Sequence, residues 1–415
     1  MITILIVSIL FLSIFCSLVL GKQHIAVLLV VLASGQMSAQ SHNLICAILF
    51  TAMLNFFYTF SSAKQNNFFL LVSLLPVGYI LAIFLIQPYK INIYHYLGYS
   101  VALFIFAWTA LVEWTPEKIV RFLTAYGFCL ISTGFIEKAI TGSERIGLSL
   151  TVATAYAVVL VIAWAIWLIN AYLQNIYSLK AILLGTFLVF LAIIFSGTRM
   201  GLIGIFIGLA SCGLSAVLMK NKNMNIIKIA AYSVGIISLL LLISITIWNL
   251  LPNDLYIKKT FSTLIEGKLD DSNMGRVHLW IVALDIFDKN KPLGIGAGNF
   301  PEKCKIIFSS LGIHKNFGVN THAHNIYLTI LSEHGITGFL ILLAFASFCM
   351  LRLFLYFLKN RNSPVFYSLF TGFIIMAVLG LVDSIPMYMP TAGFAAWLLG
   401  VCASFRREKE ICKSR

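Results

Sequence analysis

Charge is what this 415-residue chain has least of. Asp, Glu, Lys and Arg together make up 11% of it, where a soluble domain carries about a quarter. That scarcity excludes an ordinary soluble enzyme. Acidic residues are rarer still, 15 against 29 Lys plus Arg, and the formal net charge is +14. In a soluble chain such a balance would suggest nucleic acid. Here the basic residues sit mostly in short loops and the tail, where they set topology and meet anionic lipid, so no nucleic-acid partner is expected. The eight cysteines contain no C-x-x-C and no pairing pattern, which supports neither a disulfide framework nor a zinc site. Six of them lie in apolar runs, and Cys304 and Cys412 stand alone in polar surroundings. Internal repeats and low-complexity tracts are missing too, which weighs against the paired-repeat design of many transporters.

What is abundant is apolar sequence: 60% of residues are hydrophobic and the mean hydropathy is +0.95. A membrane span takes roughly 20 apolar residues, and runs of that kind recur at about 3–20, 24–38, 42–61, 67–86, 94–113, 118–138, 147–171, 178–195, 201–219, 226–250, 335–357, 365–383 and 390–405. Ile2 to Leu20 has no basic region ahead of it and more apolar sequence behind it, so it is expected to be a first span. The second run is short and ends in SGQMSAQSH, as a half-span or an interfacial segment would. The expected fold is therefore an all-α polytopic membrane protein of about 12 transmembrane helices. Its expected divisions are an N-terminal bundle of about nine helices over 1–250, a loop region with short amphipathic helices over 251–334, C-terminal spans over 335–405, and a tail over 406–415.

The basic tail FRREKEICKSR is assigned to the cytoplasm. Alternation then places Lys359, Arg361, Lys220, Lys222, Lys180, Lys118, Arg121 and Lys64 on the same side. The opposite side receives TGSERIG, SGTRMG, the 251–334 segment and DSIPMYMP. Within that segment GRVHLWIVALDIFDKN (275–290) has a helical pattern, with Val277, Trp280, Leu284 and Phe287 on the expected apolar face. KPLGIGAGNF (291–300) then breaks it. Its glycines have the look of a dinucleotide fingerprint, but they follow a helix rather than a strand and lie outside the cytoplasm, so that reading is rejected.

The polar residues able to carry chemistry gather on the non-cytoplasmic side. Arg199 lies in a tight turn between two apolar runs, and Arg276 opens the helix of the long segment. His322 and His324 lie just ahead of the next span, and Asp383 ends a later one. An arginine near membrane depth is costly and usually has a partner or a ligand. A guanidinium stays charged and grips phosphate oxygens bidentately, so two of them would suit a diphosphate. A histidine beside them would suit a general base toward a hydroxyl. The plainer readings make Arg199 an interfacial anchor, Arg276 a helix cap, the two histidines loop residues on backbone carbonyls, and Asp383 a structural ion-pair partner. Glu333 and His334 read as part of a helix face at the interface, and His278 and His314 carry no special signal.

Taken in order, SGTRMGL, GRVHLWIVALDIF, PLGIGAGNF and THAHNIYLTILSEHGITGF resemble the O-antigen ligase and polymerase superfamily of bacterial inner membranes. The resemblance runs from about Arg199 to Phe339, and its most specific piece is H-x-H-N followed by E-x-G-x-x-G. It implies a glycosyltransferase that moves a glycan from undecaprenyl diphosphate to an acceptor hydroxyl in a periplasmic cavity, with inversion and without metal or other cofactor. Carried over by position, Arg199 and Arg276 bind the diphosphate, His324 is the base and His322 a helper. Asp383 matches a carboxylate important in the ligases, and His322, Asn325 and Asp383 complete the expected substrate-binding set. One dominant loop and the late aspartate favour a ligase acting on lipid A–core over a polymerase joining lipid-linked repeat units. A non-enzymatic lipid or sugar transporter is the reading from a different class.

Overall fold

The computed structural model describes residues 23–34, 93–142, 145–146, 153–220, 271–310, 322–361, 363–383 and 389–405. Within them the chain is all-helical: α1 (Gln23–Ser34), α2 (Ile93–Leu111), α3 (Pro116–Thr141), α4 (Ala153–Leu173), α5 (Leu179–Ser196), α6 (Arg199–Lys220), α7 (Asp271–Lys289), α8 (Phe300–Ser310), α9 (Ile326–Lys359), α10 (Pro364–Leu379) and α11 (Met389–Ser404). Five of these, α3 to α6 and α9, are long and apolar enough to cross a membrane, and shorter apolar helices lie at 99–111, 364–379 and 391–404. The protein is thus a multi-pass membrane protein. The expected spans at about 3–20, 42–61, 67–86 and 226–250 lie outside the described residues.

Two compact units are interleaved along the sequence. One takes Met1–Glu113, Asp271–Arg352 and Gly380–Arg406; the other takes Trp114–Asp270, Leu353–Leu379 and Arg407–Arg415.

The second unit is built around α4. Every residue from Ala155 to Ala171 is buried, so this helix is surrounded on all sides. Lipid tails are as apolar as leucine, so greasiness alone does not bring helices together; close van der Waals approach does. The sequence supplies that approach through Gly201, Gly204 and Gly208 on one side of α6. A side chain at these sites would run into Ile193, Val161 and Trp164 respectively. Gly372 of α10 lies against Ile166 in the same way. A buried amide in such surroundings needs partners. Asn170 finds them at the Ile166 carbonyl (2.9 Å) and the Ser368 hydroxyl (2.6 Å). Local signals close the helices: Thr115 caps α3 ahead of Pro116, and Gly142 (φ 64°) ends it. Ser178 and Gly197 do the same for α5.

In the first unit α1 and α2 pack with α11, where Trp108, Phe106, Phe394 and Trp397 are buried. Gly400 of α11 lies directly against Thr109 and the Phe106 carbonyl of α2, and the Phe106 ring meets Phe345 of α9 edge-on at 4.6 Å.

Two expectations are corrected here. The buried stripe of α7 is Leu279, Val282, Ala283 and Ile286, whereas the expected apolar face is turned outward, with Val277 and Leu284 exposed and Trp280 and Phe287 half-buried. Both faces are apolar, so periodicity alone could not choose between them. Cys304, expected in polar surroundings, is buried in the core that α7 shares with α8, and burial pushes its thiol up to about 11.

Candidate active site

The site grows from the head of α9. Asn325 precedes the helix as its cap: Leu328 N–H donates to Asn325 Oδ1 (3.1 Å), satisfying an amide that the first turn leaves open. The same side chain donates through Nδ2 to the Leu381 carbonyl (2.8 Å), and Ile326 N–H donates to the Gly380 carbonyl (2.9 Å). These bonds bring the turn after α10 against the start of α9, although 59 residues separate His324 from Asp383. His324 takes a left-handed backbone (φ 49°), a conformation that a non-glycine residue adopts at some cost and that tends to persist at functional sites.

His324 Nδ1 lies 3.2 Å from Asp383 Oδ1. The carboxyl is 2% exposed and the imidazole 19%, so the acid is sealed behind a ring that still reaches the surface. A carboxylate on Nδ1 fixes that nitrogen as the N–H donor and leaves the lone pair on Nε2, which is the tautomer a general base needs. His322 is buried, and its ring packs edge-on against that of His324 with centroids 4.8 Å apart. That contact holds the reactive ring from its second side. Thr329 ties the turn: its hydroxyl donates to the Asn325 carbonyl (2.8 Å) and accepts from Ala323 N–H (3.3 Å).

Arg276 belongs to the same unit. It is half-buried and lies three residues before Leu279, on the stripe of α7 that faces inward. That stripe forms one core with Ile295, Phe300 and Ala323, and Ala323 is the residue between the two histidines. Packing through Ala323 thus ties the Arg276 helix to the histidine pair. Arg199 stands in the second unit as the first residue of α6, half-buried behind the turn that ends α5. Ser196 and Thr198 bond to each other through their hydroxyls in that turn. The turn is braced by Arg145, whose Nε donates to the Ser196 carbonyl (2.8 Å), and by Ile146 N–H on the Phe195 carbonyl (2.9 Å). His278 bonds the Met274 carbonyl of its own helix (2.9 Å), and His314 lies outside the described residues.

The glycine segment after α7 proves to be a hook. Gly294, Gly296 and Gly298 all have positive φ, which aims successive amides inward as an anion nest would. Its occupant is internal. Gly298 N–H (2.9 Å) and Phe300 N–H (3.3 Å) donate to Glu333 Oε1, while Ile295 and Gly296 N–H donate to the Ser332 and Glu333 carbonyls. Glu333, expected on an interfacial helix face, is 1% exposed. With those amides taken by the chain itself, this glycine loop is no phosphate cradle.

Residues 184–343 match the family model described as O-antigen ligase. This stretch belongs to the O-antigen ligase and polymerase superfamily. No curated protein matches the chain. The O-antigen ligase domain contains Arg199, Arg276, the histidine pair and Glu333, and Asp383 lies beyond it. Sequence alone did not single out Arg145, which braces the turn before Arg199, and it placed Glu333 on an interfacial helix face rather than in the hook.

Proposed function

We propose that the protein is an O-antigen ligase, transferring an undecaprenyl-diphosphate-linked polysaccharide to a sugar hydroxyl of lipid A–core at the periplasmic face of the bacterial inner membrane. The observation that carries the mechanism is the sealed Asp383 carboxyl on Nδ1 of a surface-reaching His324. Nε2 of His324 removes the proton of the acceptor hydroxyl as its oxygen attacks the anomeric carbon. The bond from that carbon to the diphosphate oxygen breaks on the opposite side, so the anomeric centre inverts. The guanidiniums of Arg276 and Arg199 take up the charge that develops on the departing diphosphate, the part a metal ion plays elsewhere. Asp383 stabilises the imidazolium formed, His322 steadies the ring, and Asn325 holds the two turns in register.

Purified protein in lipid nanodiscs, given undecaprenyl-diphosphate-linked polysaccharide and lipid A–core, tests this reading. His324→Ala is expected to remove turnover while the donor still binds. Undiminished transfer by that variant would take His324 out of the reaction.

A further inference from the structure

Glu333 plays no part in the reaction just described, yet its carboxyl group is 1% exposed, and burying such a polar group is costly unless it is well bonded. Its partners are two amides of the hook, 35 and 33 residues earlier in the chain. We propose that Glu333 is a positioning residue for Arg276: its Oε1, accepting two hook amides, locks the 290–300 hook to the head of α9 and so fixes the direction in which α7 presents that guanidinium. The proposal rests on the reading of Arg276 as a diphosphate ligand.

The hook is joined to α7 without slack. Asn290 N–H donates to the Phe287 carbonyl, Asn290 Nδ2 to that of Ile286, and Gly294 N–H to the Asn290 carbonyl (2.8 Å). On its other side the hook is bonded to α9 along its length. Beside the Ser332 and Glu333 carbonyl bonds, Ile336 N–H donates to the Lys291 carbonyl (2.8 Å) and Thr337 Oγ1 to that of Pro292 (2.7 Å). Gly335 opens α9 here (φ 64°, ψ −167°) to admit the hook, and a side chain on it would strike Lys291 and Pro292. The short helical piece of α9 ahead of that opening carries the His324 turn at one end and Glu333 at the other. Exposed ion pairs near the hook, Lys289 with Asp285 and Lys291 with Asp288, are solvated and add little. To the backbone bonds of this joint Glu333 adds a buried side-chain acceptor that takes two hook amides at once.

Joint angle matters because Arg276 lies far from the hinge. The 13 residues from Arg276 to Lys289 span ~20 Å of helix. A tilt of ~5° at the hook then carries the guanidinium about 1.7 Å sideways, more than the ~1 Å misplacement that costs about a hundredfold in rate. Glutamine retains one acceptor oxygen at the Oε1 site and should hold both amides. Alanine frees both amides, and aspartate falls short of them.

The test uses the full chain in nanodiscs with undecaprenyl diphosphate as the probe, measuring its Kd alongside the melting temperature. Glu333→Ala is expected to weaken binding by about tenfold, and Glu333→Gln by no more than about threefold. In an Arg276→Ala background, Glu333→Ala should change the residual binding hardly at all, because the two act as one unit. If Glu333→Ala cannot be purified folded, Glu333→Asp takes its place, with a loss between those of the Ala and Gln variants. Wild-type affinity in the Ala or Asp variant, or an equal loss with and without Arg276, would overturn the proposal. If Arg276→Ala itself binds the probe like wild type, the diphosphate reading of Arg276 fails first and the proposal goes with it.

Discussion

At the residue scale, Asp383 and His324 divide one task. The imidazole must accept a proton at Nε2, and the carboxylate at Nδ1 decides that Nε2 is free to do so. Asp383→Asn keeps the shape but lets the amide donate, which favours the wrong tautomer. We expect kcat to fall by up to about 10⁴-fold with donor binding kept, as when the carboxylate that orients a general-base histidine becomes an amide. Initial rates and a donor Kd on the same preparation check this, and a loss of binding alone would point to Asp383 on the substrate instead. The arginines face a different demand. Arg199→Lys and Arg276→Lys keep the charge but lose the planar fork, so each should recover little of the activity lost on going to Ala. Near-normal transfer in either lysine variant would speak against clamping of the diphosphate. The H-x-H-N motif made the histidines readable in the sequence. The Asp383 partnership was not readable, because it spans 59 residues and depends on the Leu381 and Gly380 carbonyls meeting the α9 cap.

At the scale of elements, the Gly201–Gly204–Gly208 stripe of α6 sets how near α4 can come. Gly204→Leu forces a branched side chain into Val161, an overpacking that typically costs 1–3 kcal/mol. We expect a lower melting temperature of the detergent-solubilised protein and earlier aggregation, and an unchanged melt would deny the close contact. Helix positions were legible because apolar runs mark them: the run at about 118–138 as α3, and SGTRMG as the turn between two runs that become α5 and α6. The inward face of α7 was not, since Val277, Ile281 and Leu284 are as greasy as Leu279, Val282 and Ile286. The outward set is exposed although apolar, so polarity gives no cue. The span placed at about 335 starts at the break in α9, where Gly335 is non-helical, and what hydropathy did not show is the short helical piece from Ile326 ahead of it. Its polar residues hid it, because a helical piece held by Asn325 and by hook amides needs no long apolar run.

At the scale of the whole molecule, the family match and the apolar helices agree on a membrane glycan transferase, and the choice between ligation and polymerisation belongs to the cell. Deletion of the gene followed by complementation separates the two on a lipopolysaccharide gel. For a ligase we expect bare core, with lipid-linked polymer accumulating in the membrane. Core bearing a single repeat unit would mark a polymerase and overturn the ligation reading. His324→Ala supplied in place of the native protein should reproduce the deletion, provided that immunoblotting finds equal amounts in the membrane.

The imidazole and its carboxylate come from opposite sides of a boundary, residue 343, that sequence similarity draws. A fragment excised to that boundary would retain every recognisable motif and yet be chemically crippled. In grafting or minimising this transferase, the short turn around Asp383 has to travel with it.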